Sequence, residues 1–424
     1  MEITMLFVGF FIMLIMGAPI TFAMAVPGTL VFIFSDNLPD AVVVQKIMAG
    51  CDSFTLLAMP FFMLAGAVMS EGGITNKIVA FANSLVGHIR GGLAHTTSLA
   101  GMILAGVSGS ANADAAALGA LLVPNLKKSG YGEGFAVSLV SCCGVLGVVI
   151  PPSILMVVYA GVSSMPISKL FMAGIIPGVT MGLVYMVVSY FYAKKKNIPC
   201  TPFQGFRHVW NTLKKAIWAM IMPLVIIVPI LTGICTATEA GMIACFYGII
   251  YGFISRNLNF KKLIKCIREA ARATAMSMSM IAVAMILGYI MTRLQFADSL
   301  VNFMNSVVSS KIGVMFAIMI IMTIMGMFID SNAAMLMMVP IFTPLIEVYG
   351  FDPLHFAMVV LLSMINGGLT PPVGLVLYIV SSVDHTPLKK VVWSIWPFVG
   401  LNILVLVLVM FIPEMVTFIP SLLA

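Results

Sequence analysis

Four side chains with hydroxyl, amide or carboxylate ends fall within seven residues at Ser108-Gly109-Ser110-Ala111-Asn112-Ala113-Asp114, inside an otherwise apolar stretch. A second group, Asp330-Ser331-Asn332, follows seventeen almost wholly apolar residues. Oxygen atoms of these kinds are the ligands of hard cations. Each group is followed by a proline-broken run, "GVVIPPS" at 147–153 and "GGLTPPVG" at 367–374. A proline inside a helix removes a hydrogen bond and frees a carbonyl. Tip oxygens facing freed carbonyls would form a cage of sodium size. The N–H groups opening the helix after each tip would favour an anion in the same place. The same residues also suit a plainer role, as helix caps and small packing residues.

The elements that hold these groups are membrane segments. Of 424 residues, 61% are hydrophobic and 9% charged, against about 25% charged in a soluble chain. The net charge of +7 comes from basic residues in short loops, around 88–90, 127–128, 194–215, 256–272 and 389–390. That is the signature of cytoplasmic loops, and no basic stripe or aromatic platform for nucleic acid is present. The seven cysteines form no C-x-x-C pair and have no histidine at metal spacing, so they read as small apolar residues. The 36 methionines read as packing and lipid-facing residues. The first apolar block, 4–34, lacks a basic leader region and a cleavage site, so it reads as a mature segment. Residues 3–34 fit either one bent span or two short ones around Gly17 and Pro19.

With the basic loops inside, the chain must leave and re-enter the cytoplasm between Arg90 and Lys127. The apolar arms there, near 97–110 and 113–126, hold about 14 residues, or roughly 21 Å of helix, short of the ~30 Å hydrocarbon core. Short arms meeting at a polar tip describe a re-entrant hairpin, a backbone tolerated at that depth only when buried or lining a watery cavity.

The second half repeats the pattern at an offset of 220. Asn112 falls on Asn332, Pro124 on Pro344, Gly130 on Gly350, Gly147 on Gly367, and Pro151-Pro152 on Pro371-Pro372; at offset 222 "MLAGAVM" (63–69) falls on "MILGYIM" (285–291). The second hairpin lacks basic flanks, and counting spans from Arg272 puts its base outside. The expected fold is therefore an all-α integral membrane protein with inverted repeats. The first repeat is 1–194, with a hairpin at 94–128 and a broken helix at 135–160. A cytoplasmic linker spans 195–215. The second repeat is 216–424, with a hairpin at 311–346 and a broken helix at 354–381. Secondary transporters are built this way, with the binding site at mid-membrane.

Single residues carry separate expectations. Asp330 lies at a depth where a carboxylate needs a partner, a proton or a cation, so it is the expected working carboxylate. Asp114 starts the returning arm, where capping and ligation are both open. Arg293 is either a snorkelling interfacial residue or a partner for a substrate carboxylate. Ser153 either faces the substrate or back-bonds to its helix. The five histidines are scattered and no HExxH or GxSxG occurs, which argues against an intramembrane enzyme.

"SGSANADAAALGALLVPNLKKSGY", "GVVIPPSILMVVYAG", "TATEAGM" and "FIDSNAAMLMMVPIFTPLIEVYGFDPLHFAMVVL…GGLTPPVG" resemble the large membrane subunit of TRAP (tripartite ATP-independent periplasmic) transporters over essentially the whole chain. The resemblance implies an elevator transporter of the ion-transporter fold in the bacterial inner membrane. It would be driven by at least two sodium ions and take an organic acid from a periplasmic binding protein. It also implies a small four-helix membrane subunit on a separate chain. One sodium cage would use Ser108, Ser110 and Asn112 with Gly147 and Pro151. The other would use Asp330, Ser331 and Asn332 with Gly367, Thr370 and Pro371; Ser110, Ser153, Arg293 and Asp330 would meet the substrate. "SMINGGLT" replaces a more aliphatic run, and the substrate is left open. A stand-alone carboxylate carrier of the same fold is the competing expectation.

Overall fold

A computed structural model describes residues 2–35, 39, 41–200, 202–307 and 310–422. Among the described residues the chain is helical throughout, with no strand. In chain order the first half holds α1 (Glu2–Ile15), α2 (Ile20–Phe34), α3 (Ala41–Cys51), α4 (Ala58–Glu71), α5 (Ile74–Val86), α6 (Gly92–Ser108), α7 (Ala111–Lys128), α8 (Glu133–Val145), α9 (Ile154–Ser163) and α10 (Ile167–Lys195). The second holds α11 (Phe206–Leu231), α12 (Ala237–Ile254), α13 (Phe260–Arg293), α14 (Phe296–Val307), α15 (Lys311–Phe328), α16 (Ser331–Tyr349), α17 (Pro353–Leu369), α18 (Leu375–Asp384), α19 (Leu388–Phe411) and α20 (Glu414–Leu422). Seven of these, α10 to α13, α15, α16 and α19, are long and apolar enough to cross a bilayer. With that composition, the chain is a multi-pass membrane protein.

The N-terminal block is two helices, not one bent span. Gly17 turns between them at φ +78, a conformation glycine adopts without a Cβ penalty, and Pro19 precedes α2. The arms α6 and α7 have 17 and 18 residues, more than the roughly 14 expected from the apolar run. α6 starts early because Thr96, Thr97 and Ser98 hide their hydroxyls on the carbonyls of Gly92, Leu93 and Ala94, so polar residues extend the helix at little cost.

The two halves place corresponding elements at matching intervals. α7 begins at Ala111 and α16 at Ser331, 220 residues later; α8 begins at Glu133 and α17 at Pro353, again 220 later. Both Pro-Pro pairs, 151–152 and 371–372, are cis and separate the two parts of a broken helix.

Helices α2, α3 and α4 pack on α13, and α4 also on α12, while α7 to α10 pack on α16 to α19. Within the second group the hairpins cross over. The arm α7 packs on its own α8 and on α18 of the other half; α16 packs on its own α17 and on α9. Lys127 at the end of α7 is ion-paired with Asp384 at the end of α18, and also donates to Thr386 Oγ1 at 2.9 Å. Where the two groups meet, glycine allows close approach. A Cβ on Gly66 of α4 would lie 2.8 Å from the Ser108 carbonyl, and one on Gly288 of α13 would lie 3.6 Å from Pro340 of α16.

Candidate functional site

The crossing of hairpins brings the two tips to one place. A cavity of about 790 Å³ is lined by Gly109, Ser110, Ala111 and Asn112 from the first tip and by Asp330, Ser331 and Asn332 from the second. Val148, Ile154, Leu155, Ile365, Gly368, Leu375 and Val376 complete that side from the two broken helices. The α1–α2 turn and α4, including Thr21 and Met63, also line it, as do Ala273, Met276, Ser277, Ser279 and Met280 of α13. Its size falls in the range of small-molecule sites, roughly 300–1,000 Å³.

The first tip is built by caps. Gly109 takes φ +67, and its carbonyl accepts from Ile154 N at 3.1 Å, which pins the tip to the start of α9. Ser110 is the N-cap of α7, its Oγ accepting from Ala113 N at 3.4 Å. Ser108 Oγ accepts from Ser110 N at 3.2 Å. Asp114 does not cap. It is buried at 1% exposure, the Ser108 side chain adjoins its carboxyl, and its Oδ2 has no hydrogen-bond partner among the described residues. A Cβ on Gly147, in the 3-10 turn 146–148, would collide with that Oδ2 and lie 3.2 Å from the Ser110 carbonyl. An unpartnered carboxyl oxygen and a backbone carbonyl thus meet against the Gly147 backbone, two oxygens of the kind that hard cations take as ligands, with room for no side chain at 147.

The second tip is arranged differently. Asp330 is the N-cap of α16, its Oδ1 accepting from Asn332 N at 3.0 Å, and it is only half-buried. Thr370 caps α17: its N–H donates to the Gly367 carbonyl at 2.9 Å and its hydroxyl to the Asn366 carbonyl at 2.7 Å. Gly367 faces away from the tip, against the Thr323 carbonyl and Gly326 of α15, because the helical turn places its neighbour Gly368 on the cavity side. A Cβ on Gly368 would lie 3.8 Å from Ser331 Oγ. The meeting of this tip and its break runs through Gly368, a residue the 220-residue offset passes over.

Two further expected contacts are not made at the cavity. Ser153 is fully buried, with its hydroxyl donating to Val148 O at 2.8 Å and accepting from Met156 N at 3.3 Å, so it caps α9. Arg293 ends α13 as an exposed residue and does not line the cavity, as an interfacial arginine would. Pro151 and Pro371 lie in the breaks, and Asn112 is exposed to the cavity.

Some features escape sequence reasoning. Asn366 is 2% exposed, and neither its Oδ1 nor its Nδ2 has a partner among the described residues; its only signal is the departure of "SMINGGLT" from an aliphatic run. Ser277 and Ser279 supply hydroxyls from a helix that reads as plain span. A second cavity of about 460 Å³ shares Met63, Ser110, Ile154 and Ala273 with the first and continues to Glu71 and Glu269. Glu71 accepts from Lys265 at 2.9 Å, and this bond holds its carboxyl below the usual range.

Residues 7–415 match the DctM family, described as the DctM component of the tripartite ATP-independent periplasmic transporter. The chain belongs to this family. The chain is 35% identical to the C4-dicarboxylate TRAP transporter large permease protein of Pseudomonas aeruginosa, over 90% of both chains. It is 34% identical to the 2,3-diketo-L-gulonate large permease of Escherichia coli, over 94% of both, and 33% identical to the sialic acid large permease of Vibrio cholerae, over 97% and 96%. Its fold also matches that of the YdaH transporter of Alcanivorax borkumensis, with a TM-score of 0.64 and 15% identity over 88% of each chain. These relatives are transporter permeases, not enzymes.

Proposed function

We propose that this chain is the sodium-coupled permease of a three-part uptake system for an organic acid, working as an elevator in the bacterial inner membrane. The observation that carries the reading is the single cavity lined by both tips, with the bare Asp114 Oδ2 beside Gly147. One sodium ion is held by the first tip, with Ser108, Ser110, Asn112 and Asp114 against Gly147 and the Pro151 break. A second is held by Asp330, Ser331 and Asn332 against Gly368, Thr370 and the Pro371 break. The acid lies between them, on the N-terminal ends of α7 and α16, where N–H groups favour an anion. The hairpins α6–α7 and α15–α16 are re-entrant and the repeats inverted in topology. They travel with α8 to α10 and α17 to α19 against the group containing α4 and α13. The second cavity, running from Ser110 to Glu71, which pairs with Lys265 near the start of α13, is the release route to the cytoplasm.

The partners are a small membrane subunit and a periplasmic binding protein that selects the acid, and membrane lipids surround the assembly. Each positive charge moved inward gains roughly 2.3 kcal/mol per 100 mV, and tenfold accumulation costs about 1.4 kcal/mol. Two sodium ions with a monoanion therefore sustain more than tenfold uptake even without a sodium gradient. The test is uptake of labelled acid into liposomes holding both membrane subunits, with the binding protein outside. An inward sodium gradient is expected to drive accumulation. Uptake that ignores sodium and follows a proton gradient would overturn the reading.

A further inference from the structure

We propose that Ser277 of α13 is a substrate-contacting residue that makes the site prefer acids bearing a hydroxyl group over their deoxy analogues. The inference rests on the uptake function above and concerns the α13 residues that line the cavity with the tips. Hydroxyls in apolar helices ordinarily donate to a carbonyl three or four residues back. Those of Ser163, Thr180, Ser189, Ser279, Thr292 and Thr323 do so here, at 2.8 Å each. Thr274, one turn before Ser277, donates to Met63 Sδ at 3.5 Å. Ser277 is different: it is 7% exposed, it lines the cavity, and its hydroxyl makes no hydrogen bond among the described residues. It stands unspent on the wall of a cavity that both tips also line.

The charges of the cavity give that hydroxyl its role. No lysine, arginine or histidine lines the cavity, and Asp330 is the one carboxylate on it among the described residues. A substrate carboxylate therefore finds its electrostatic partners only on the tip side, at the first turns of α7 and α16 and at the cations held there. The rest of the molecule lies against the other lining residues, which on α13 are Ala273, Met276, Ser277, Ser279 and Met280. Of the two α13 hydroxyls that of Ser279 is spent on Met276 O, so that of Ser277 either pairs with a polar group of the substrate or is desolvated without a partner. A site built to hydrogen-bond a hydroxyl discriminates against the analogue that lacks it, because its own polar group is then left unpaired.

The experiment measures stabilisation of the purified chain in saturating sodium by three pairs of acids, L-malate and succinate, D-lactate and propionate, and D-gluconate and hexanoate. The pair giving the largest difference in half-saturating concentration is carried into Ser277→Ala, Ser277→Thr and Thr292→Ala. The expected result is a preference for the hydroxylated member that falls about tenfold in Ser277→Ala through weaker binding of that member alone. Ser277→Thr, which keeps a hydroxyl, and Thr292→Ala, on the same helix but away from the cavity with its hydroxyl spent on Gly288 O, keep the wild-type ratio. An unchanged ratio in Ser277→Ala, or no preference in the wild type, overturns the role of Ser277 and leaves the uptake function standing. If no acid binds in sodium, both fall.

Discussion

Gly147→Ala puts a single methyl group into the first proposed cation site. On the present backbone that methyl would collide with Asp114 Oδ2 and crowd the Ser110 carbonyl. To reach ordinary van der Waals contact the carboxylate oxygen must withdraw by about 1 Å. Oxygen ligands of hard cations sit near 2.4 Å, and at an effective dielectric constant of about 20 a unit charge pair is worth about 7 kcal/mol there and about 5 kcal/mol at 3.4 Å. The loss of about 2 kcal/mol corresponds to a roughly thirtyfold rise in the sodium concentration for half-maximal uptake. Two assays read it: sodium titration of uptake in liposomes with the partner proteins, and sodium titration of the unfolding midpoint of the purified chain. Gly400→Ala, where a Cβ would meet nothing within 4 Å, serves as the control and leaves both curves in place. A Gly147→Ala protein that folds and keeps the wild-type sodium dependence would refute the placement of a cation between Asp114 and the break.

Asp114→Asn is expected to raise the half-saturating sodium concentration more than Asp330→Asn, since asparagine at 330 still caps α16 while 114 loses the buried charge; the reverse order in sodium-dependent uptake would move the working carboxylate to the second tip. Lys127→Met leaves Asp384, whose side chain is 7% exposed against 27% for the lysine, without its ion-pair partner and with the Thr386 hydroxyl as donor. Removing one partner of a buried pair costs about 3–5 kcal/mol, reduced here to roughly 2–3 by the wetter lysine. The unfolding midpoint in detergent drops accordingly and recovers in Lys127→Met/Asp384→Leu; a single variant as stable as wild type would contradict this.

The sequence read the class and the frame of the fold well because both depend on signals of long range and strong contrast. Apolar length marks the spans at 167–195, 237–254 and 388–411, and proline pairs mark the breaks. The tips were legible because polar residues at 108–114 and 330–332 stand against an apolar background. What periodicity does not carry is which way a side chain turns. Asp114 and Asp330 look equivalent as acids near a helix start, yet a shift of four residues relative to the caps Ser110 and Asp330 makes one a buried free oxygen and the other a cap. Gly367 and Gly368 are adjacent, and one helical step of rotation decides which meets Ser331. Ser277 escaped because a serine in an apolar helix is ordinarily silent, and only the missing back-bond sets it apart.

The crossing of each hairpin onto the other half's broken helix also sets a timetable for biosynthesis. Lys127 and its partner Asp384 are 257 residues apart, and at about 5–20 residues per second the second emerges roughly 13–50 s after the first. For that interval α7 has its own α8 to rest on but not α18, and on the proposed re-entrant reading the polar first tip lies in a membrane without its final neighbours. The cost of exposed polar groups there is high, so the nascent first half must be sheltered until the C-terminal third arrives. Variants that weaken α17 or α18 therefore act on the yield of a hairpin made long before them, and a fall in expression from such changes reports assembly order as much as final stability.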